Sequence, residues 1–505
     1  MSGLLLRHAR LGAAVRDVLL AGGRVVAVAD DLPTARGLDG LPGGTAVVEM
    51  DGATLLPGLR DEHVHLQQEA ENRRRIDVTA ARSPAEAAAL VAAAVGEDAG
   101  DLLVARGFRD ALWTEPADAA VLDAALPGRP VVLVSADLHT AWCSTPALRR
   151  LGLPEDSGVL REQEAMAVYA RAGQVSADVL DGWVLEATDA AAARGVTAVV
   201  DLEYDDLLGA WARRARRREG GPAVRVRAGF WEDHLERVLA AGLRSGDPLP
   251  GVPDPVAADR VRVGPLKLFV DGSLGTRTAY CHRPYPGVAG PEAHGVLRTP
   301  PDRLEELLRR AGAHGLDLAV HAIGDRATAI ALDGFAAAAC TGRIEHAQQV
   351  CPADLPRFAE LGVVASVQPR HALDDRDAAD RHWSGATGHA FPYGALVAAG
   401  AEVVLGSDAP VAPLDPWDAV ASAVHRSLDE RGAWHPEHSL ELAVALAAAS
   451  GGRRAVRVGD AADLVVVPEP PADVLARDGA AGLRATQVLG TLVAGRWTHR
   501  SASLG

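Results

Sequence analysis

The stretch TPPDRLEELLRRAGAHGLDLAVHAIG, residues 299–324, joins a capped helix to a short apolar run that contains a histidine. Thr299 is predicted to cap the helix, and Pro300 suits its first turn, where a backbone N–H has no partner within the helix. The run LDLAVHAIG is typical of a strand. A helix that leads directly into such a strand is the repeating unit of a parallel α/β sheet.

Seven other runs of the same kind lie between residues 59 and 410, separated by helical stretches. Together with LDLAVHAIG (316–324), the predicted strands end at LRDEHVH (59–65), GVTAVVDL (195–202), VRVRAGFW (224–231), VGPLKLFVDG (263–272), GRIEHAQ (342–348), GVVASVQPRH (362–371) and AEVVLGSDAP (401–410). A further helix is predicted to open on Asp415 and close on Gly432. Eight strands with intervening helices favour a (β/α)8 TIM barrel over an open, doubly wound sheet.

The two ends of the chain have a different pattern. Residues 1–55 and 455–505 alternate short β-rich runs with tight turns, and their Gly-Gly and Asp-Gly pairs predict hairpins. Neither segment is long enough to form a sandwich alone, so pairing of the two ends into one composite sandwich is an open alternative. The barrel would then occupy residues 56–454.

The gap after the first barrel strand is too long for a simple connection. Residues 72–176 contain short strands of their own and a predicted helix that begins after Ser83, with Pro84 and Glu86 in its first turn. We interpret this segment as an insertion domain on the catalytic face of the barrel.

Composition excludes several classes of protein. The formal net charge of −16 over 505 residues argues against a partner that is nucleic acid or an anionic membrane. The basic run ARRARRREGG (212–221) is interpreted as a solvated helix end. The four cysteines form no CxxC pair, and the first residues lack both a signal peptide and an apolar span. We therefore expect a soluble, cytoplasmic protein.

Metal-binding residue types gather at the predicted strand ends, where barrel enzymes place their catalytic groups. They are His63, His65, Lys267, His321, His346, His371 and Asp408. Each has an ordinary alternative, such as a solvated sheet face, a hydrogen-bonded structural histidine or a helix cap. Because these alternatives would have to hold at six strand ends together, the set predicts one or two divalent metal ions.

Lys267 is the only lysine in the chain. The alternative to a function is that an arginine-rich coding bias left one lysine by chance. A buried lysine can lose its proton, which arginine cannot do. Its neutral amine can then add carbon dioxide and become a carbamate, a carboxylate on a long stem that can bridge two metal ions.

The motifs of this chain resemble those of a known family. LLPGLRDEHVHL (55–66), DLHTAWCSTPAL (137–148), KLFVDGSLGTRTA (267–279), HAIGDRA (321–327), RIEHAQ (343–348), SVQPRH (366–371), GSDAPV (406–411) and ADLVVV (462–467) follow the order of the amidohydrolase superfamily. The likeness is closest to the YtcJ-like branch, to which N-substituted formamide deformylases belong.

This resemblance implies a barrel beside a composite β-sandwich and a binuclear metal centre, zinc being the first expectation for the metal. His63, His65 and Asp408 would hold the first ion, and His321 and His346 the second, with carboxylated Lys267 between them. Glu62 departs from the family pattern, which more often has a small residue there. Strand alternation predicts that Glu62 points away from the two neighbouring histidines and has little effect on the metals.

The same resemblance assigns a mechanism and a pocket. Asp408 would be ligand and proton shuttle in one, and His371 would polarise a carbonyl or bind the leaving group. Predicted substrate contacts are His139, Trp142, Asp271, Asp325, Arg326 and Trp113. Structural alternatives stay open for several of them: an ion pair between Asp325 and Arg326, and a core position for Trp113.

The sequence therefore predicts a metal-dependent hydrolase that cleaves a non-peptide C–N bond in a small, largely neutral amide or formamide. Lyase, isomerase or esterase chemistry on the same metal site is the first alternative. A non-catalytic barrel scaffold is the second, and intact ligand positions argue against it. Base rates favour a homodimer.

Overall fold

The computed structural model describes residues 3–32, 44–95, 102–110, 113–136, 140–161, 163–172 and 175–504. The chain divides into two compact units. One consists of Met1–Leu66 with Leu185–Gly505, and the other is Gln67–Val184.

The strands in chain order are β1 Leu4–Leu11, β2 Ala14–Ala21, β3 Arg24–Ala29, β4 Ala46–Glu49, β5 Thr54–Pro57, β6 Leu59–Val64, β7 Ile76–Asp77, β8 Leu103–Phe108, β9 Val131–Ser135, β10 Thr140–Cys143, β11 Val159–Arg161, β12 Val196–Asp201, β13 Arg225–Trp231, β14 Val261–Phe269, β15 Leu318–Ala322, β16 Arg343–His346, β17 Val364–Val367, β18 Val403–Leu405, β19 Leu464–Val467, β20 Gly490–Val493 and β21 Arg496–Arg500.

The α-helices are α1 Leu66–Asn72, α2 Pro84–Ala94, α3 Ala119–Ala125, α4 Thr145–Leu151, α5 Gln163–Ala172, α6 Ala177–Ala193, α7 Leu207–Arg214, α8 Leu235–Ala240, α9 Pro255–Arg260, α10 Pro301–Ala313, α11 Asp325–Ala338, α12 Leu355–Leu361, α13 His371–Asp374, α14 Arg376–His382, α15 Tyr393–Ala398, α16 Pro416–His425, α17 Leu442–Ala448 and α18 Pro471–Arg484. Within the described residues, no helix is long and apolar enough to cross a membrane.

The first unit is built on a nearly closed parallel barrel. Its strand order is β6-β12-β13-β14-β15-β16-β17-β18, which is also the order along the chain. The first and last strands meet where Val64 bridges Ala409 and the backbone N–H of Asp408 donates to the carbonyl of His63 over 2.7 Å. All eight predicted strands are present, and the arrangement fits a TIM barrel.

A second sheet in the same unit combines both ends of the chain. Its order is β21-β20-β19-β5-β1-β2-β3, with β4 paired to β1. The ends meet where β19 runs antiparallel to β5, with Leu464 opposite Pro57. One face of this sheet buries an apolar cluster that includes Leu6, Leu55, Leu464 and Leu492. Strands from both termini thus depend on each other for their core.

The unit Gln67–Val184 has its own five-stranded sheet in the order β11-β10-β9-β8-β7. The pairs β7–β8 and β8–β9 are parallel, and the remaining pairs are antiparallel. The predicted cap of α2 is confirmed, because the hydroxyl of Ser83 accepts from the backbone N–H of Glu86 over 3.2 Å.

Two helix boundaries differ from their prediction. Helix α10 begins at Pro301 with Pro300 at its N-cap, so Thr299 lies one residue outside. Asp415 does cap α16, accepting from the backbone N–H of Trp417, but the helix ends at His425. It stops there because Arg426 turns into the left-handed region, with φ of 52°, which no further helical turn can follow.

The basic run is a helix end, as predicted, but it is only partly solvated. Helix α7 ends at Arg214, which is buried with its guanidinium carbon 5.2 Å from the centre of the Trp211 ring. Arg218 bonds to Asp189, and Arg216 donates to the carbonyl of Gly251. The run therefore holds local structure together.

Candidate metal centre

The barrel brings six predicted ligands together at the carboxyl ends of its strands. The Nε2 atoms of His63 and His65 lie 3.3 and 3.1 Å from Oδ1 of Asp408. The ring of His346 lies 4.9 Å from that of His63 and 4.5 Å from that of His321, between centroids. Ligand atoms of His63, His346 and Asp408 all fall within 4.8 Å of one another. This spacing suits a metal ion.

Two of these residues have unusual backbone conformations. His346 has φ of 76° and Asp408 has φ of 58°, in the left-handed region that non-glycine residues rarely adopt. Such strain persists only where the surrounding structure enforces it, and it is concentrated at functional sites. The two side chains are therefore held in place at a local energetic cost.

Lys267 lies inside this cluster. It is 1% exposed, and among the described residues its Nζ has no hydrogen-bond partner. Burial is the main cause that lowers the pKa of Lys267 to about 8, with a smaller contribution from Arg343. A far larger fraction of this amine is neutral near pH 7 than of an ordinary lysine.

Electrostatics favour metal-binding protonation states. Burial, followed by the charge of Lys267, lowers the pKa of His63 to about 4 and that of His321 well below its usual value. Burial alone would raise the pKa of Asp408, but His63 and His65 outweigh it and hold that pKa well below its ordinary value. Neutral imidazole and ionised carboxylate are the forms that bind metals.

The pKa values of His346 and His65 are shifted in opposite directions. Burial and the neighbouring His321 lower the pKa of His346 well below its usual value. Burial also acts to lower the pKa of His65, but its hydrogen bond with Asp408 wins and raises it. Asp408 therefore favours the protonated form of His65, whereas the neutral form is favoured for His63, His321 and His346.

A second layer, which the sequence interpretation missed, supports the ligands. Nδ1 of His63 donates to Oε2 of the fully buried Glu345 over 2.7 Å. Nε of Arg343 lies 2.6 Å from the other oxygen of Glu345, and Nη1 of the same arginine donates to Oε2 of Glu62 over 2.9 Å. A carboxylate behind a histidine fixes the ring orientation and tautomer of that ligand.

The predicted direction of Glu62 stays a prediction, and its neighbours agree with alternation along β6. Its Oε1 lies 2.7 Å from Nε of Arg60, two residues earlier on the same strand. Glu62 reaches His63 through Arg343 and Glu345. Glu62 is therefore part of the hydrogen-bonded network behind His63.

Asp61 on the first barrel strand, β6, is hydrogen-bonded to the segment that follows the last strand, β18. Its Oδ1 accepts from the backbone N–H of Ser407 over 2.8 Å and from that of His63 over 3.2 Å. Burial raises the pKa of Asp61 to about 7. This carboxyl sets the position of the segments that carry His63 and Asp408.

His371 lies in the cluster, although it does not sit at a strand end. It is the first residue of α13, after β17 has ended at Val367. Its Nε2 is 3.8 Å from Oδ2 of Asp408, and its ring stacks on that of His346 at 6.1 Å. Nδ1 lies 3.4 Å from Nε2 of Gln348. Gln348 is therefore a further unpredicted side chain that borders the site.

Asp271 has a structural position. It is fully buried and accepts backbone N–H bonds from Tyr280, Ile323 and Gly324 over 2.8, 3.0 and 2.8 Å. These contacts favour a role in holding the loop after β14 against the start of α11. Its predicted contact with substrate stays a prediction.

Asp325 and Arg326 have different partners from the proposed ion pair. Oδ1 of Asp325 accepts from the backbone N–H of His282 over 2.8 Å. The exposed guanidinium of Arg326 lies 4.6 Å above the ring of Tyr280. A contact of either side chain with substrate stays a prediction.

The remaining predicted contacts belong to the unit Gln67–Val184 or lie outside the described residues. His139 is outside them. Trp142 is fully buried in the core of that unit, with its ring 6.0 Å from that of Trp113. Nε1 of the half-buried Trp113 donates to the carbonyl of Ala81 over 3.3 Å. These contacts favour core positions for both indoles.

Comparison with known proteins matches most of this chain to one family. The profile described as "Amidohydrolase family" covers residues 46–499. The protein LONG AFTER FAR-RED 3 of Arabidopsis thaliana is 28% identical over 94% of this chain and 87% of its own length. The YtcJ protein of Bacillus subtilis (strain 168) is 26% identical over 76% of this chain and 75% of its own.

The fold has a close counterpart among solved structures. An uncharacterized metal-dependent hydrolase from Pyrococcus horikoshii OT3 superposes with a TM-score of 0.76. It covers 93% of this chain and 98% of its own length, at 24% identity. The likeness at this identity concerns the fold.

Proposed function

This chain belongs to the amidohydrolase family, in its YtcJ-like branch, and from that premise we propose that it is a metal-dependent hydrolase of a non-peptide C–N bond. The substrate class is a small amide or formamide. The observation that carries the proposal is the cluster at the mouth of the barrel. His63, His321, His346 and Asp408 are buried there, His65 is half-buried, and the buried amine of Lys267 has no hydrogen-bond partner among the described residues.

The residues present fit a divalent metal centre. His63, His65 and Asp408 would hold one ion, and His321 and His346 a second, with zinc as the first expectation. The amine of Lys267 is buried, partly neutral and without a hydrogen-bond partner among the described residues. Attack of this amine on carbon dioxide forms an N–C bond and releases a proton. The resulting carbamate carries the negative charge that a bridge between two cations needs.

Divalent ions bound here would supply Lewis acidity, which makes a water acidic near neutral pH and polarises a carbonyl. Asp408 is placed to handle the proton, because one of its oxygens lies among the histidines and the other faces His371. We assign to Asp408 the removal of a proton from the attacking water and its delivery to the leaving nitrogen. An amine leaves only when protonated, so this delivery completes C–N cleavage.

His371 is proposed to act on the substrate. Its Nε2 is buried and lacks a hydrogen-bond partner among the described residues, and it points toward the carboxylate of Asp408 at 3.8 Å. A donor at this position can hydrogen-bond to the carbonyl oxygen as negative charge develops on it. His371 is thus a substrate-contacting residue rather than a ligand.

Two other functions remain as alternatives. The same metal centre could support lyase, isomerase or esterase chemistry. A non-catalytic role is an alternative because the name LONG AFTER FAR-RED 3 states no reaction. Retention of every ligand position argues against that role.

The cellular compartment, the binding partners and the oligomeric state of the protein are also proposals. Four free cysteines suit a reducing cytoplasm, and the acidic surface suits a small-molecule substrate without nucleic acid or membrane as partner. We propose a homodimer on base rates alone.

A substrate panel tests the proposed function. Purified protein is incubated with N-substituted formamides, acetamides and matched esters, before and after removal of metal by a chelator and after addition of Zn2+. We expect amine and carboxylate as products, loss of turnover without metal and recovery on reloading. Cleavage of esters alone would favour esterase chemistry, and metal-loaded protein without any turnover would favour the scaffold.

A further inference from the structure

An unbroken row of aromatic rings leads from the surface of the barrel unit to the metal-ligand cluster. The ring of Tyr204, which is 68% exposed, lies 4.9 Å from that of Trp231. Trp231 stacks on Phe269 at 5.1 Å, and Phe269 lies 4.5 Å from His321. These three residues and His321 lie at or just after the ends of four neighbouring barrel strands, β12 to β15. We call Tyr204, Trp231 and Phe269 the aromatic row.

The row is held rigidly. Nε1 of Trp231 donates to the carbonyl of Glu203 over 2.7 Å, and the hydroxyl of Tyr204 donates to Oδ2 of Asp233 over 3.3 Å. Fixed rings lose little freedom when a ligand packs on them, so such a surface is organised for binding before the ligand arrives. No step of the proposed hydrolysis uses these three side chains.

A cation lies beside the same row. The backbone N–H of Arg298 donates to the carbonyl of Val270, which places this arginine next to the end of β14. Its guanidinium carbon is 5.8 Å from the centre of the Phe269 ring. The side chain is exposed, and among the described residues it forms no ion pair. Its charge acts on the buried carboxylate of Asp271 and also lies beside the Phe269 ring, over which Nζ of Lys267 lies at 5.6 Å.

We propose that the aromatic row and Arg298 form the subsite for the non-reacting part of the substrate, and that this part is an aromatic ring. The subsite rests on the proposed function, since it names the substrate class of that same metal centre. Its position follows from the contact between Phe269 and His321, because a group attached to the reacting carbonyl reaches the row directly from the cluster.

An aromatic ring fits better than a saturated ring of the same size. Both would bury similar apolar area against the half-buried ring of Phe269, beside Trp231, which is 8% exposed. Only the aromatic ring adds offset or edge-to-face contacts with these side chains and an attraction to the guanidinium of Arg298. The row should therefore distinguish phenyl from cyclohexyl, which a purely hydrophobic wall would not.

Binding of two matched carboxylates tests the subsite apart from turnover. The affinities of phenylacetate and cyclohexylacetate for the metal-loaded, full-length protein are measured by titration calorimetry. We expect phenylacetate to bind about tenfold more tightly than cyclohexylacetate, from ring and cation–π contacts. Because neither compound has a C–N bond to cleave, failure of the proposed amide hydrolysis leaves this comparison intact.

Two variants assign the preference to named residues. Phe269→Leu keeps an apolar side chain of similar length, and Arg298→Gln removes the charge of an exposed side chain. Both are expected to bring the two affinities to within about twofold while metal content stays unchanged. Arg309→Gln, the same chemical change on the exposed side of α10, is the control and should keep the preference. Equal affinities in the wild type, or a preference retained in both Phe269→Leu and Arg298→Gln, would overturn the subsite.

Discussion

At the scale of single residues, Glu345 shows how the cluster is supported. It accepts from His63 and pairs with Arg343, which in turn holds Glu62. Glu345→Gln keeps the shape of the side chain and removes its charge. We expect metal affinity to fall about 10- to 100-fold, the usual cost of losing a carboxylate behind a metal-bound histidine.

Competition with a chelator of known affinity measures this loss. Glu306→Gln, an exposed position on α10, is the matched control and should bind metal like the wild type. Unchanged metal affinity in Glu345→Gln would show that the hydrogen bond to His63 does not support the metal.

The gathering of the predicted ligands could be predicted from their shared strand ends, but the side chains behind them could not. Alternation along β16 predicts that Glu345 and His346 point to opposite faces. The left-handed φ of His346 changes that, and both side chains take part in the cluster. Glu62 is linked to His63 through Glu345 and Arg343, and Arg343 is 281 residues away from Glu62 in the chain. Backbone departures of single residues leave no mark in the sequence pattern.

At the scale of secondary-structure elements, barrel closure depends on Gly406. A Cβ at this position would lie 2.8 Å from both the backbone N and the Cβ of His63. Gly406→Ala must therefore push the segment after β18 away from β6 and displace Asp408. We expect a loss of about 1–3 kcal/mol in stability, as for overpacked cores, together with weaker metal binding.

Gly388→Ala is the control for that substitution, since nothing lies within 4 Å of its added Cβ. Thermal unfolding and elemental analysis compare the two variants. If Gly406→Ala matched Gly388→Ala in both measurements, the close approach of β18 and β6 would not matter for the site.

The eight barrel strands were predictable because buried parallel strands appear as short apolar runs between helices. The ends of the helices were less predictable than the strands. The end of α16 depends on Arg426 adopting a left-handed conformation without glycine. A tertiary contact explains it: the guanidinium of Arg426 is buried and donates to the carbonyl of Trp434 over 2.7 Å. Such long-range causes are invisible in a local pattern.

At the scale of the whole molecule, the sheet that both chain ends share is separate from the proposed metal centre, so we expect it to affect stability and not the reaction. Leu464 on β19 is fully buried in the sheet that both chain ends share. Leu464→Ala should cost about 2–5 kcal/mol, because a cavity remains where the side chain was. Metal content and turnover per folded molecule should stay as in the wild type.

The midpoint of thermal unfolding and elemental analysis at 20 °C check this separation. A drop in bound metal at a temperature where Leu464→Ala is fully folded would instead couple the sheet to the metal centre. The pairing of the termini was left open by the sequence, because strand partners 400 residues apart share no local signal. The placement of residues 72–176 on the catalytic face of the barrel stays a prediction.

The most direct test of the account concerns the single lysine. Metal per chain is measured by elemental analysis for the wild type and for Lys267→Arg, with folding checked by circular dichroism. We predict close to two metals per wild-type chain and a sharp loss in Lys267→Arg, because arginine cannot form a carbamate. Equal metal content in two folded proteins would contradict a bridging role for Lys267 and with it the proposed binuclear centre.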